Sequence, residues 1–286
     1  MIVFADAAPL SWNVVDDVRE MFAYPFMVNA FRAGTIVAIL AAVVGWFMVL
    51  RRQTFAGHTL ALVGFPGAAG AVLVGVSPQV GYFGFCTAAA VAIGGLPRVA
   101  DRNTADDSAV IGTVQAFALA CGFLFVSLYG GNLSGTTSLL FGTFFGITRP
   151  QVLVLLIVAA VTIFLVACAA RPLLFASIDP DVATARGVPT RWLSIGFLVL
   201  LGVAAAEVSQ VTGSLLVFAL LVLPPATAQR LSARPNVSLL AGVAIAVVVT
   251  WAGLAAAFYS PYPSGFWITT FAFVAYVAAL VVSRFR

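Results

Sequence analysis

Apolar residues run along the chain in blocks of about 20, separated by short breaks where arginine, glycine and proline collect. A helix of that length rises ~30 Å, enough to cross the hydrocarbon of a bilayer. Nine blocks can be drawn, at about 26–50, 55–76, 80–96, 108–129, 151–170, 193–210, 213–231, 237–258 and 266–283. Strict alternation, the mark of a membrane β-barrel, is absent from them. The pattern therefore predicts an all-α, polytopic transmembrane bundle of about nine spans over residues 26–286, preceded by a tail at 1–25. An apolar piece at 139–146 is too short to span and reads as re-entrant or interfacial.

The longest polar break between the two halves is 173–191, LLFASIDPDVATARGVPTR. Asp179 is a natural N-cap, Pro180 presets φ at the first helical position, and Asp181 suits the positive end of the helix dipole. Gly187 offers a left-handed stop, with Arg186 in the last turn and Pro189 beyond. About two turns of helix fit between these signals, too few to be stable in water unless docked on something.

Composition agrees with a membrane protein: 62% of residues are hydrophobic, only 8% are charged, and mean hydropathy is +1.10. All 14 basic residues are arginine. Placing Arg51 and Arg52 inside puts eleven of the fourteen on that side, Arg171, Arg186, Arg191, Arg230 and Arg234 among them, while Arg19 and Arg149 fall outside. This bias predicts an N-terminus outside, a C-terminus inside and a cytoplasmic 173–191. It reads as topology and not as a nucleic-acid footprint. The tail, with Asp6, Asp16, Asp17 and Glu20 and no basic stretch, is a poor signal peptide and reads as extracytoplasmic, with room for a short interfacial helix.

The three cysteines, Cys86, Cys121 and Cys168, lie in apolar blocks without a CxxC pair and read as small buried hydrophobes. No GxxxxGK[ST] loop occurs, so the chain does not by itself hydrolyse a nucleotide in the usual way. The GxxxG at Gly142 and Gly146 fits close helix packing as well as dimerisation.

Polar groups deep in a bilayer are costly, so the few present are the candidates for function. His58, the only histidine, lies early in the second block; its imidazole suits a metal ligand, a proton acceptor or a hydrogen bond to a neighbouring helix. Thr59 could add an oxygen, and a symmetric dimer could bring two His58 together. Glu207 is the one glutamate inside an apolar span, with Gln210 one turn later; it faces a watery entrance, snorkels to the interface or pairs with Arg32. Pro224 and Pro225 interrupt the seventh block and imply a bend, passive or gating.

Three stretches, VLRR with GHTLALVGFPG, SIDPDVATARGV, and QVTGSLLVFALLVLPPATA, together resemble the permease subunits of ABC importers for manganese, zinc and iron. The resemblance implies a homodimeric pore in the cytoplasmic membrane, two cytoplasmic ATPase subunits that carry the ATP, and an extracytoplasmic metal-binding protein. It implies no resident cofactor and no enzymatic activity, only a transported divalent metal. Asp179, Pro180, Ala183 and Gly187 match the family's coupling segment, where a capped helix gives an ATPase cleft a rigid knob to grip.

One departure stands out. Family members usually carry an aspartate after the glycine of the first stretch and a histidine four residues on; here those positions are His58 and Leu62. Nitrogen ligands suit zinc better than manganese, which sets the expected cargo as zinc ahead of manganese. A metal chelate such as a siderophore is the alternative cargo, and an ATP-independent secondary transporter the alternative class.

Overall fold

The computed structural model describes residues 14–95, 104–129, 142, 144–214 and 216–284. The chain forms α1 (Val14–Ala23), α2 (Pro25–Leu50), α3 (Thr54–Leu73), α4 (Pro78–Gly95), α5 (Thr104–Tyr129), a 3-10 turn (Phe144–Gly146), α6 (Arg149–Ile178), α7 (Pro180–Ala185), α8 (Thr190–Thr212), α9 (Val217–Leu231), α10 (Pro235–Phe258) and α11 (Ser264–Arg284). Each of the nine apolar blocks has most of its length in one of these helices. Among the described residues, seven of them (α2, α3, α5, α6, α8, α10 and α11) are long and apolar enough to cross a membrane. The chain is thus a multi-pass, all-α membrane bundle.

The boundaries depart from expectation at three places. The fifth block was expected to stop near residue 170, yet α6 continues through Arg171 and Pro172 to Ile178. Its 30 residues reach about 45 Å, well beyond a bilayer core. The first part of the 173–191 segment is therefore a continuation of α6. The seventh block was expected from Gly213, but Gly213 adopts φ +79° and the chain turns before α9 begins at Val217. The GxxxG glycines do not share a helix: Gly142 has φ +73° and lies against the Val211–Gly213 backbone, and Gly146 closes the 3-10 turn. The short apolar piece is described only at 142 and 144–146, where Phe144 is buried beside Gly34. The arginines at 98 and 102 and the Gly/Ser/Thr stretch at 130–138 lie outside the described residues.

The core runs along α2 and α8. Val37, Leu40 and Val44 of α2 and Leu201, Ala204 and Val208 of α8 are fully buried. Around this pair stand α6, α9 and α10, with α3 and α4 closing against α8, α5 outside α3, and α11 outside α9 and α10. Small residues permit these approaches: a Cβ on Gly67 of α3 would overlap the Gly81 carbonyl of α4, and one on Gly81 would overlap Gly67. Between helices that gain nothing from leaving lipid for each other, such backbone contact supplies the packing energy. The outward faces stay apolar, as with Leu156, Ile157, Val161 and Phe164 of α6.

Long-range hydrogen bonds tie the two ends of the bundle. At one end Arg51 reaches Ser177 and Ser194, and Gln229 donates to the Trp46 carbonyl at 2.8 Å. At the other, Asn29 donates to the Ile147 carbonyl at 3.2 Å, and Tyr259 donates to the Asp17 carbonyl of α1 at 2.7 Å.

Candidate functional site

The short helix α7 forms for local reasons. The Asp179 carboxylate accepts from the Val182 N–H at 2.9 Å, which satisfies one of the free donors of the first turn. Pro180 follows at the position where its missing N–H costs nothing. At the far end Gly187 has φ +81°, the Val188 N–H bonds the Ala183 carbonyl at 3.0 Å, and the Gly187 N–H bonds Thr184 at 2.9 Å. These two bonds are the pair that closes a helix in a Schellman turn. Ala183 is fully buried and seats the helix, while Ile178, Val182 and Trp192 stay exposed around it. The result is a rigid, six-residue knob with apolar side chains at its base.

His58 is the fifth residue of α3 and only partly buried. Its ring meets the edge of Phe218 on α9 at 4.9 Å, and Nδ1 is buried without a hydrogen-bonding partner. Leu62, one turn on, is buried. Thr59 is fully buried and directed elsewhere: its hydroxyl donates to Gln115 Oε1 of α5 at 2.8 Å. The oxygen expected beside His58 is therefore committed to another helix. Among the described residues no three His, Cys, Asp or Glu side chains are grouped closely enough to hold a metal ion. Among the described residues one chain supplies a single imidazole here, its Nδ1 buried and unbonded, and further ligands would have to come from a second copy or from the ion's own water.

Glu207 and Gln210 part company although they lie on one helix. Gln210 lines a cleft of about 460 Å³ together with Gln79, Tyr82, Gln151, Ser77 and Ile147, at the end of the bundle that holds the Asn29–Ile147 bond. Glu207, one turn deeper, is fully buried and does not line that cleft. Neither carboxyl oxygen has a hydrogen-bonding partner. It does not snorkel, and Arg32, the counter-charge suggested by the sequence, is exposed on α2. His58 and Glu207 do not share a site. The α2–α3 corner before His58 is bonded to Ser194, and Glu207 lies thirteen residues, about 20 Å, further along the same α8.

Pro224 and Pro225 are both buried in α9. They remove the N–H groups that would have bonded Leu220 and Leu221. The Leu221 carbonyl faces Gly45 of α2, where any Cβ would overlap it. The proline pair thus sits where α9 is fitted to the central helix.

Several polar residues of these places were not singled out from the sequence. Gln79, Tyr82, Gln115 and Gln151 belong to the cleft or to the Thr59 bond. Their signal was available, since each is an amide or phenol beside or within an apolar block, but spacing along the chain does not pair them. Of the cysteines, all free thiols, only Cys86 is buried as expected, donating weakly to the Leu60 carbonyl at 3.2 Å; Cys121 is half-buried and Cys168 is exposed, contrary to the reading of all three as buried.

Residues 23–283 match the model of the ABC 3 transport family. The chain is 30% identical over 275 residues to the chelated iron transport system membrane protein YfeC of Yersinia pestis, covering 93% of this chain and 92% of that protein. It is 27% identical to the manganese transport system membrane protein MntC of Halalkalibacterium halodurans, over 82% of this chain and 80% of the other. In fold it is similar to PsaBC from Streptococcus pneumoniae, solved in complex with Fab, with a TM-score of 0.82, 21% identity and coverage of 93% and 95%.

Proposed function

The chain belongs to the ABC 3 transport family, and from that membership we propose that two copies form the metal pathway of an ATP-driven importer in the cytoplasmic membrane. It is a permease subunit whose role is transport and not catalysis. The observation that carries this reading is the near full-length agreement with a metal-transport permease, 275 residues at 30% identity. A secondary transporter that works alone has no place in it. ATP is bound and split by a cytoplasmic partner, and an extracytoplasmic metal-binding protein delivers the cargo.

In this reading the nine helices that carry apolar blocks all span, the N-terminus is outside and α7 is cytoplasmic. Asp179, Pro180, Ala183 and Gly187 build the knob that the ATPase grips. The geometry supports this role because a six-residue helix capped at both ends moves as one body. Gln210 and Glu207 lie toward the outer entrance. Pro224 and Pro225 give α9 a bend that can change with the pore. His58 of each copy meets the ion near the inner end, where its Nδ1 has no hydrogen-bonding partner within the chain.

The cargo is a divalent first-row transition metal. The names of the relatives favour manganese and iron, whereas the imidazole at His58 in place of an oxygen ligand favours zinc. A chelate is the second reading, supported by the name of the Yersinia pestis relative, a chelated iron transport protein. The reconstituted complex, with binding protein outside and ATP at the ATPase face, should accumulate at least one of Mn²⁺, Fe²⁺ and Zn²⁺. Uptake of none of the three would remove the metal assignment, and uptake only with an added chelator would establish the second reading.

A further inference from the structure

We propose that Arg51 is the positioning residue through which movement of the α7 hairpin reaches the α2–α3 corner and the helix bearing His58. This rests on α7 being the ATPase contact. The hairpin has two roots, the end of α6 and the start of α8, and Arg51 holds both. One terminal nitrogen, Nη1, donates to Ser177 Oγ at 3.3 Å; the other, Nη2, donates to Ser194 Oγ at 2.8 Å. Ser177 is the penultimate residue of α6 and Ser194 the fifth of α8, so the two bonds bracket α7 on either side. Ser177 spends its own proton on the Leu173 carbonyl, which leaves its lone pairs to Arg51. The guanidinium also lies over the Phe197 ring of α8, 5.5 Å from its centre. A planar fork with fixed donor directions is what two acceptors on two helices require.

The other end of the link is equally stiff. Arg51 is the C-cap residue of α2, and the corner closes with Arg52 N–H to Val49 at 3.1 Å and Gln53 N–H to Met48 at 3.0 Å. This is the turn that normally employs glycine, yet Arg52 occupies it at φ +55°, so the corner has little slack. After Gln53 the chain enters α3 at once, and His58 follows within its second turn. When α7 is displaced, the roots of α6 and α8 shift, and the fork pulls the joint between α2 and α3 with them. Without the fork, α7 still docks and ATP is still split, but the pull on α3 is lost.

The test uses the full complex of permease, ATPase and binding protein in proteoliposomes, with ATP hydrolysis and metal uptake measured on the same sample. Arg51→Met, which keeps the apolar stem, should leave ATPase assembly intact and hydrolysis within about twofold, while uptake per ATP falls about tenfold. Arg51→Lys reaches one serine at a time and should fall between Met and wild type. The Ser177→Ala, Ser194→Ala pair removes only two hydroxyls and carries the test if Arg51→Met does not fold. It should lower uptake per ATP by itself and add nothing in the Arg51→Met background. An unchanged ratio in Arg51→Met or in the serine pair would overturn the inference. So would parallel loss of hydrolysis, uptake and ATPase assembly, which marks a purely structural residue. A wild-type complex that takes up no metal would instead count against the permease reading itself.

Discussion

Gly45 of α2 lies against the carbonyl oxygen of Leu221 in α9, the acceptor that Pro225 leaves without its helical N–H. The contact does two jobs. It lets α9 approach the centre of the bundle, and it places the Gly45 Cα against an oxygen that lipid could not satisfy. A methyl group at Gly45 has no room, because the atom it meets belongs to the backbone. Gly45→Ala should therefore cost about 1–3 kcal/mol despite the better helix propensity of alanine. Unfolding of the detergent-solubilised protein would measure this, and an unchanged midpoint would mean that α2 and α9 separate freely.

Glu207 gives a second prediction with opposite signs for stability and activity. A buried carboxyl without partners carries a desolvation cost of about 1–3 kcal/mol. Glu207→Leu should stabilise the bundle by an amount of that order while slowing metal uptake. Glu207→Gln should keep the fold and show the same transport defect. Full uptake in both variants would make Glu207 an idle residue and remove it from the pathway.

At the opposite end, His58→Ala should reduce uptake several-fold with little change in expression, because its ring is only partly buried and its Nδ1 has no partner to lose. His58→Asp exchanges nitrogen for hard oxygen and should shift the preference from Zn²⁺ toward Mn²⁺. Competition between the two ions in wild type and variant reads this directly. An identical order of preference in both would return His58 to packing against Phe218.

The caps of α7 separate local order from global stability. Asp179→Ala removes a hydrogen bond worth about 1 kcal/mol, and Gly187→Ala places a side chain at φ +81°, costing about 1–2 kcal/mol. A helix of six residues frays under either change, whereas the buried core is untouched. Both variants should unfold at nearly the wild-type midpoint and yet bind the ATPase weakly, with less uptake per ATP hydrolysed. Normal coupling in both would show that α7 is a plain connector.

Lengths and ends of elements were largely legible in the sequence because their causes are local. Runs of apolar residues dictated the helices, and the Asp179, Pro180 and Gly187 signals placed α7 where it forms. The errors are local as well: Pro172 did not end α6, because a proline within a long helix removes one hydrogen bond and leaves the rest of the ladder in place. Within the candidate site the sequence named individual residues, but not their partners. Thr59 belongs with Gln115, Glu207 with no other polar group, and Gln210 with Gln79, Tyr82 and Gln151.

The sequence by itself determined that this chain lives in a membrane, which segments are helical, which ends collect arginine, and how the short helix between the halves is capped. Tertiary structure alone decided which face of each helix turns inward, that Glu207 is sealed off, and that Arg51 joins three helices at one end. The physical reason lies in the solvent. In water an amphipathic stripe marks the buried face, but α2, α3 and α6 are apolar on every side, since lipid and protein interior select the same side chains. What chooses the face is the fit of small residues such as Gly45, Gly67 and Gly81 and the pairing of a few distant polar groups. Neither is written in the spacing of residues along one helix.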